Sequence, residues 1–179
     1  MIVAVALFTV VMLVSTAALL ALVGANRKAQ ALQSVMNNLN IALDGMVRGM
    51  RMGSDYNGSG DCNGNTTGSQ HDCTDGGSIF SFEAFGGNPN DPTDQWVYKY
   101  DATAKRIYKS EDNGATFFAI TAPEVTIDSL KFYVVGTTRG DTAQPKVVIE
   151  VKGTAGAFQN KTKTTFAIQA TAVQRLLDL

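Results

Sequence analysis

The side chains most able to do chemistry crowd into one stretch of this chain. Residues 53–77 (GSDYNGSGDCNGNTTGSQHDCTDGG) hold both cysteines, Cys62 and Cys73, and the single histidine, His71. Three chemistries are open there. Cys62 and Cys73, with ten residues between them, can close a disulfide worth about 2–3 kcal/mol by restricting the unfolded chain, or they can stay free thiols. Together with His71 they offer zinc at most three soft ligands at irregular spacing, one short of a closed tetrahedral site. Asp55, Asn57, Ser59 and Asp61 read D-x-N-x-S-G-D. That is the opening of an oxygen-ligand loop of the kind a hard cation such as calcium takes, with glycine at the bend. Position twelve of that register is Thr66 rather than a bidentate Glu, and an exposed Asn/Gly/Asp turn explains the same letters.

No catalytic constellation emerges from the remaining residues. The sequence has no G-x-S-x-G elbow, P-loop or dinucleotide fingerprint. One histidine rules out a multi-histidine metal centre and argues against a His-dependent triad. Glu111-Asp112 falls at an expected hairpin tip, where solvation is the default. The expectation is a protein that is not an enzyme and has no cofactor beyond a candidate calcium.

The elements that would carry these residues follow from composition. The chain has 179 residues, 15 Lys+Arg against 16 Asp+Glu, and is 45% hydrophobic. That suits one domain with an appended element. A net charge of −1 excludes a nucleic-acid partner held by electrostatics. The charge is split along the chain. Residues 1–51 carry four basic side chains and one acid, residues 52–98 seven acids and no Lys or Arg, and residues 99–179 eleven basic and eight acidic groups. The pattern predicts a helix, an acidic loop and a β-rich remainder, divided at 1–25, 26–53, 54–77 and 78–179.

Residues 1–25 contain 21 apolar residues and no charge, long enough to span a bilayer's hydrocarbon core. A signal peptide would carry a basic flank and an apolar run of only about 7–15 residues. Beyond the span the pattern continues: Leu22, Ala25, Ala29, Leu32, Met36, Leu39, Leu43, Met46 and Met50 recur three and four residues apart, which places them on one helical face. No proline interrupts, so one helix is expected from Met1 to about Met52, roughly 78 Å long. The stripe is expected to pack on the protein's own sheet rather than in a coiled-coil seam, because flanking Glu/Lys pairs are missing. Gly24 is the candidate point of local unwinding. Gly45, Gly49 and Gly53 are expected to weaken the helix before a turn.

Strands are predicted at 78–85 (SIFSFEAF), 95–100 (QWVYKY), 106–110 (RIYKS), 116–120, 129–135, 146–151 and 164–173, short segments rich in β-branched and aromatic residues. Asp112-Asn113-Gly114 marks a tight turn between two of them, and residues 101–105 mark another. Val147, Ile149 and Val151 alternate with Val148, Glu150 and Lys152, as on a sheet with one wet face. The class is α+β: a long N-terminal helix, apolar in its first half and amphipathic in its second, packed on a C-terminal antiparallel sheet.

This architecture, with MIVAVALF leading into VVMLVS, MVRGMRM closing the helix and VTIDSLKFYVV in the sheet, resembles a type IV pilin or a type II secretion pseudopilin. The resemblance spans most of the chain in architecture and about the first 20 residues in motif. It implies a filament subunit that polymerises through its apolar helix, where Phe8, Val11, Leu13, Leu19 and Leu22 would form the assembly face. It further implies self as partner, a prepilin peptidase and an inner-membrane assembly machinery, residence in the membrane before assembly, and an extracellular filament afterwards. An exported chain makes Cys62–Cys73 a disulfide. The family also carries a basic leader and a Glu soon after the cut, and the first acid here is Asp44. The expectation is that Met1 lies downstream of the natural start. A minor pseudopilin and a membrane-tethered cation-binding module are the alternatives.

Overall fold

A computed structural model describes residues 1–57, 62, 70–88, 91, 93–155 and 164–175. Among these residues one uninterrupted helix, α1 (Ile2–Met52), is followed by eight strands: β1 (Cys73–Gly77), β2 (Ile79–Phe82), β3 (Trp96–Asp101), β4 (Arg106–Ser110), β5 (Phe118–Ala119), β6 (Val125–Val135), β7 (Lys146–Ala155) and β8 (Thr164–Val173). The fold is α+β. The strands form two antiparallel four-stranded sheets, ordered β1-β6-β7-β8 and β2-β3-β4-β5, rather than the single meander expected.

The helix stripe is buried only in its second half. Val35, Leu39, Leu43, Met46 and Met50 are inside, with Leu32 and Val47 packed at the margin. Leu22, Ala25 and Ala29, expected on the same covered face, are exposed because the sheets do not reach that far along the rod. Val35 takes the inner position expected of Met36, which is half-buried. Gly24 causes no break, and the helix runs through it.

Where α1 ends, its last carbonyls find partners that a helix cannot supply itself. Tyr56, fully buried, donates its hydroxyl to the Met50 carbonyl at 2.6 Å, and the Arg175 N–H donates to the Arg51 carbonyl at 2.9 Å. Gly53 sits at the exit with φ −82°, so it is not there for left-handed backbone. A Cβ on it would strike the Phe82 ring and the Glu83 carbonyl. Close approach of the chain's own sheet, more than helix weakening, explains this glycine.

Aromatic rings join the layers. Tyr56 meets Phe80 edge-on at 5.2 Å, and Phe80 stacks with Phe82 at 5.6 Å in its own sheet and with Phe132 at 5.5 Å in the other. Such pairs add to the area they bury. In β7 the expected alternation holds, with Val147, Ile149 and Val151 fully buried.

Strand limits differ from expectation where pairing, rather than side-chain type, decides. β4 and β8 match the predicted bounds, β6 and β7 run longer, and β5 shrinks to two residues. β1 is a correction. Its residues (CTDGG) were expected in a loop, yet they pair with β6 at Cys73↔Val134 and Gly77↔Phe132. The edge of β6 needs hydrogen-bond partners whatever the side chains of the segment that supplies them. The turn at Asn113-Gly114 has φ of 52° and 87°, the left-handed backbone that Asn-Gly tolerates.

Candidate functional site

The cysteine-bearing segment is tied to the end of α1. Cys62 and Cys73 are joined as a disulfide with their Cα atoms 6.0 Å apart, and Cys73 is buried at the start of β1. Asn57, also buried, donates its amide to the His71 carbonyl at 3.1 Å and to Cys73 Sγ at 3.3 Å. Burial by itself would raise the Asp72 carboxyl. The Thr137 N–H and hydroxyl, at 2.9 and 2.8 Å, outweigh it and hold Asp72 below the ordinary carboxylate range.

These ties bear on both metal readings. The ligand atoms of Cys62, His71 and Cys73 lie within 4.8 Å of one another, but with the sulfurs bonded together the set offers a metal only His71. Asp55 and Asn57, the first two residues of the calcium motif, both adopt left-handed backbone, at φ 51° and 57°. The Asp55 carboxylate accepts hydrogen bonds from Arg139 and from Gln70, while the Asn57 amide turns inward to His71 and Cys73. Ser59 and Asp61 lie outside the described residues.

The apolar half of α1 is the larger feature. Residues 1–30 are exposed on every side of the helix, among them Phe8 (63%), Val11 (56%), Leu13 (73%), Leu19 and Leu22. The Thr9 and Thr16 hydroxyls donate to the Ala6 and Met12 carbonyls at 2.8 Å. Those side-chain donors are thus satisfied inside the helix, as a medium without water requires. The helix is long and apolar enough to cross a membrane, as an anchor or a signal sequence does.

A feature that sequence reasoning missed lies where β2 meets β3. Glu83 is 2% exposed, and neither of its carboxylate oxygens has a hydrogen-bond partner. Desolvation, reinforced by the charges of Asp94, Asp55 and Asp91, lifts its pKa to about 7. The signal in the sequence was the run of seven acids without a base, which marked the region but not the residue. On another face Arg48, Arg51 and Arg175 line a hollow of about 250 Å³, and none of the three has an ion-pair partner among the described residues.

No protein-family model matches the chain, and no curated protein or solved structure is found to be similar to it.

Proposed function

We propose that the chain is a structural subunit of an extracellular type IV pilus-like filament, polymerising through the apolar half of α1. The observation that carries this reading is the contrast along one helix. From Leu32 onward the apolar stripe is covered by the protein's own sheets, and before it the apolar surface is exposed all round. Moving side chains such as Phe8, Leu13 or Leu22 out of water is worth about 1.5–3 kcal/mol each, so this segment belongs in lipid or against other helices. Small residues favour the second destination as the end state. Ala17, Ala21 and Ala25 recur every fourth residue, a spacing that lets helix backbones approach closely where lipid and protein are equally apolar.

In this reading the subunit waits in the inner membrane, is processed by a prepilin peptidase, and is taken up by an assembly machinery into a homopolymer with the sheet domain outside. A minor pseudopilin role shares the same helix chemistry. A membrane-tethered module keeps the helix in lipid, and the acidic setting of Glu83 is the observation that favours it.

Electron microscopy of filaments sheared from producing cells, with mass spectrometry of the subunit, separates the readings. Filaments containing this chain with a methylated N-terminal residue support the proposal, and Leu13→Lys should abolish them. A chain that stays unpolymerised in the membrane fraction overturns it in favour of the tethered module.

A further inference from the structure

The buried carboxyl of Glu83 sits among other oxygens that also lack partners. In the antiparallel register Phe82 faces Trp96 and Ser81 faces Val97, so one step outward Glu83 lies opposite Gln95, with Asp94 next to it. Both Glu83 carboxylate oxygens, Asp94 Oδ1 and Gln95 Oε1 are buried and without a hydrogen-bond partner. All four atoms are acceptors, and while Glu83 is ionised none of them carries a hydrogen to share. Residues 52–98 contain no Lys or Arg, and Arg139, which reaches the α1 exit, is engaged by Asp55. The charges that act on Glu83 are those of Asp94, then Asp55 and Asp91, and each opposes its ionisation.

A thin turn covers this carboxyl. The Ser54 N–H donates to the Glu83 carbonyl at 2.9 Å, and the Glu83 N–H donates to the Ser54 carbonyl at 2.8 Å, which fixes the Glu83 backbone to the exit of α1. The chain then runs through Ala84–Gly87 and back over the side chain, so closely that a Cβ on Gly87 would strike Oε1. Two backbone donors hold the turn down. The Gly87 N–H donates to the Ala84 carbonyl at 3.0 Å, and the Asn88 N–H donates to Asp94 Oδ2 at 3.1 Å. Gly86 supplies the left-handed backbone of the turn at φ 84°. Phe85, Gly86, Gly87 and Asn88 are all exposed, so lifting the turn uncovers the Glu83 carboxyl at little cost in other burial.

We propose that Glu83 and the turn over it form a proton-operated latch. In the closed form Glu83 is the neutral acid and its O–H supplies the hydrogen that the cluster lacks. Gln95 Oε1, directly across the strand pair, is the acceptor that the register provides, with Asp94 Oδ1 beside it. When the O–H bond breaks and the proton passes to solvent, an uncompensated charge is left inside, among the most unfavourable arrangements a fold can hold. The turn then lifts and water reaches the carboxylate. The raised pKa of Glu83, about 7 against an ordinary 4.5, has the sign this requires. Between those values the closed form keeps a proton that the open form gives up, so closure is fully favoured below pH 4.5 and weakens as pH rises to 7. The latch stands whether or not the chain polymerises.

The test uses the full chain in detergent micelles, with chelator present throughout and the glutamate carboxyls labelled for NMR. The chain has four glutamates, and the signal that disappears in Glu83→Gln is that of Glu83. It should titrate near pH 7 rather than near 4.5, and Asp94→Asn should move its midpoint to lower pH. Glu83→Gln, a neutral stand-in for the acid, should keep the turn closed at every pH. Amide hydrogen exchange at Gly87 and Asn88, taken as the ratio of parent to Glu83→Gln, should therefore rise about tenfold per pH unit between 4.5 and 7 and then level off. The same ratio at Ala104, in the β3–β4 turn, should stay flat. Should Glu83→Gln fail to fold, the signal that Asp94→Asn displaces identifies Glu83, and exchange at Gly87 is read in the parent against Ala104. A Glu83 midpoint near 4.5, a raised midpoint with no change in exchange at Gly87, or a rise that Ala104 shares overturns the latch.

Discussion

The two halves of α1 share one uninterrupted helical backbone, yet they have opposite fates. Residues 32–50 turn a narrow apolar stripe inward, where Leu39 and Met50 are fully buried, and show polar side chains such as Asn37, Asn40 and Asp44 outward. Residues 2–25 have no polar face to show and nothing of their own chain to lie against. The difference teaches that in this protein the domain covers the helix only from Leu32 onward, several residues into an apolar stripe that already runs through Leu22, Ala25 and Ala29. The second half is an ordinary component of a domain core, and the first half is complete only in a medium or an assembly that the domain does not provide.

The largest effect should come from breaking the inner half. Leu39→Ala removes a fully buried side chain at the centre of the helix–sheet contact and should cost about 2–5 kcal/mol. Leu13→Ala, on the outer half, should leave the unfolding of the domain unchanged within about 0.5 kcal/mol while lowering filament yield. Urea denaturation of both variants, followed by a probe in the sheets, checks the pair. Equal losses would mean that the outer half is part of the domain after all.

How far these halves could be read in advance depends on where the information lies. Leu39, Leu43, Met46 and Met50 announce their face through spacing alone, because a helix projects its own period onto whatever it packs against. The limit of coverage between Ala29 and Leu32 could not be read, because it is set by the reach of strands over a hundred residues away. β4 and β8 were legible from their β-branched and aromatic content. β1 was not, since CTDGG has little strand propensity and owes its pairing to the unfilled edge of β6 and to the disulfide. Glu83, Asp94 and Gln95 escaped notice for a related reason. A residue type says that a carboxylate should be wet, and only the packing of the α1 exit against the β2–β3 turn says that this one is dry.

The disulfide sharpens the comparison from the other side. Cys73→Ser opens a loop that pins the segment between α1 and β1, and the loss expected from chain entropy is about 2–3 kcal/mol. Reduction of the parent chain should produce the same shift in the sheet-domain transition. Neither treatment should alter the partitioning of residues 2–25 into micelles. Loss of membrane association on reduction would show that the two regions are energetically coupled.

A smaller effect is expected at the β4–β5 turn. Gly114 has φ 87°, so Gly114→Ala forces an L-residue into left-handed backbone at about 1 kcal/mol, read as a lower denaturation midpoint with unchanged slope.

The smallest effect turns on pH, and it tests whether the halves are independent. Asp112 at that same turn accepts from the Ser110 hydroxyl at 2.6 Å and the Thr116 N–H at 2.9 Å, and from the Thr116 hydroxyl. Ser110 first, then Thr116, draw its pKa down to about 2. A carboxyl whose folded pKa is depressed contributes stability that is fully present above its unfolded value, near 3.8, and is lost as pH falls through the folded value. The β4–β5 turn should therefore loosen between about pH 4 and pH 2, and Asp112→Asn should remove that slope, as amide hydrogen exchange at Gly114 and Thr116 would report. Residues 1–25 contain no Asp, Glu, His, Lys or Arg, so their contacts with lipid or with neighbouring helices have no side chain to titrate in this range. A polymer held by that segment should keep its length at pH 3 while the turn in its outer domain frays. If filaments shorten in step with the exchange at Gly114, the sheet domains rather than the helices carry the assembly.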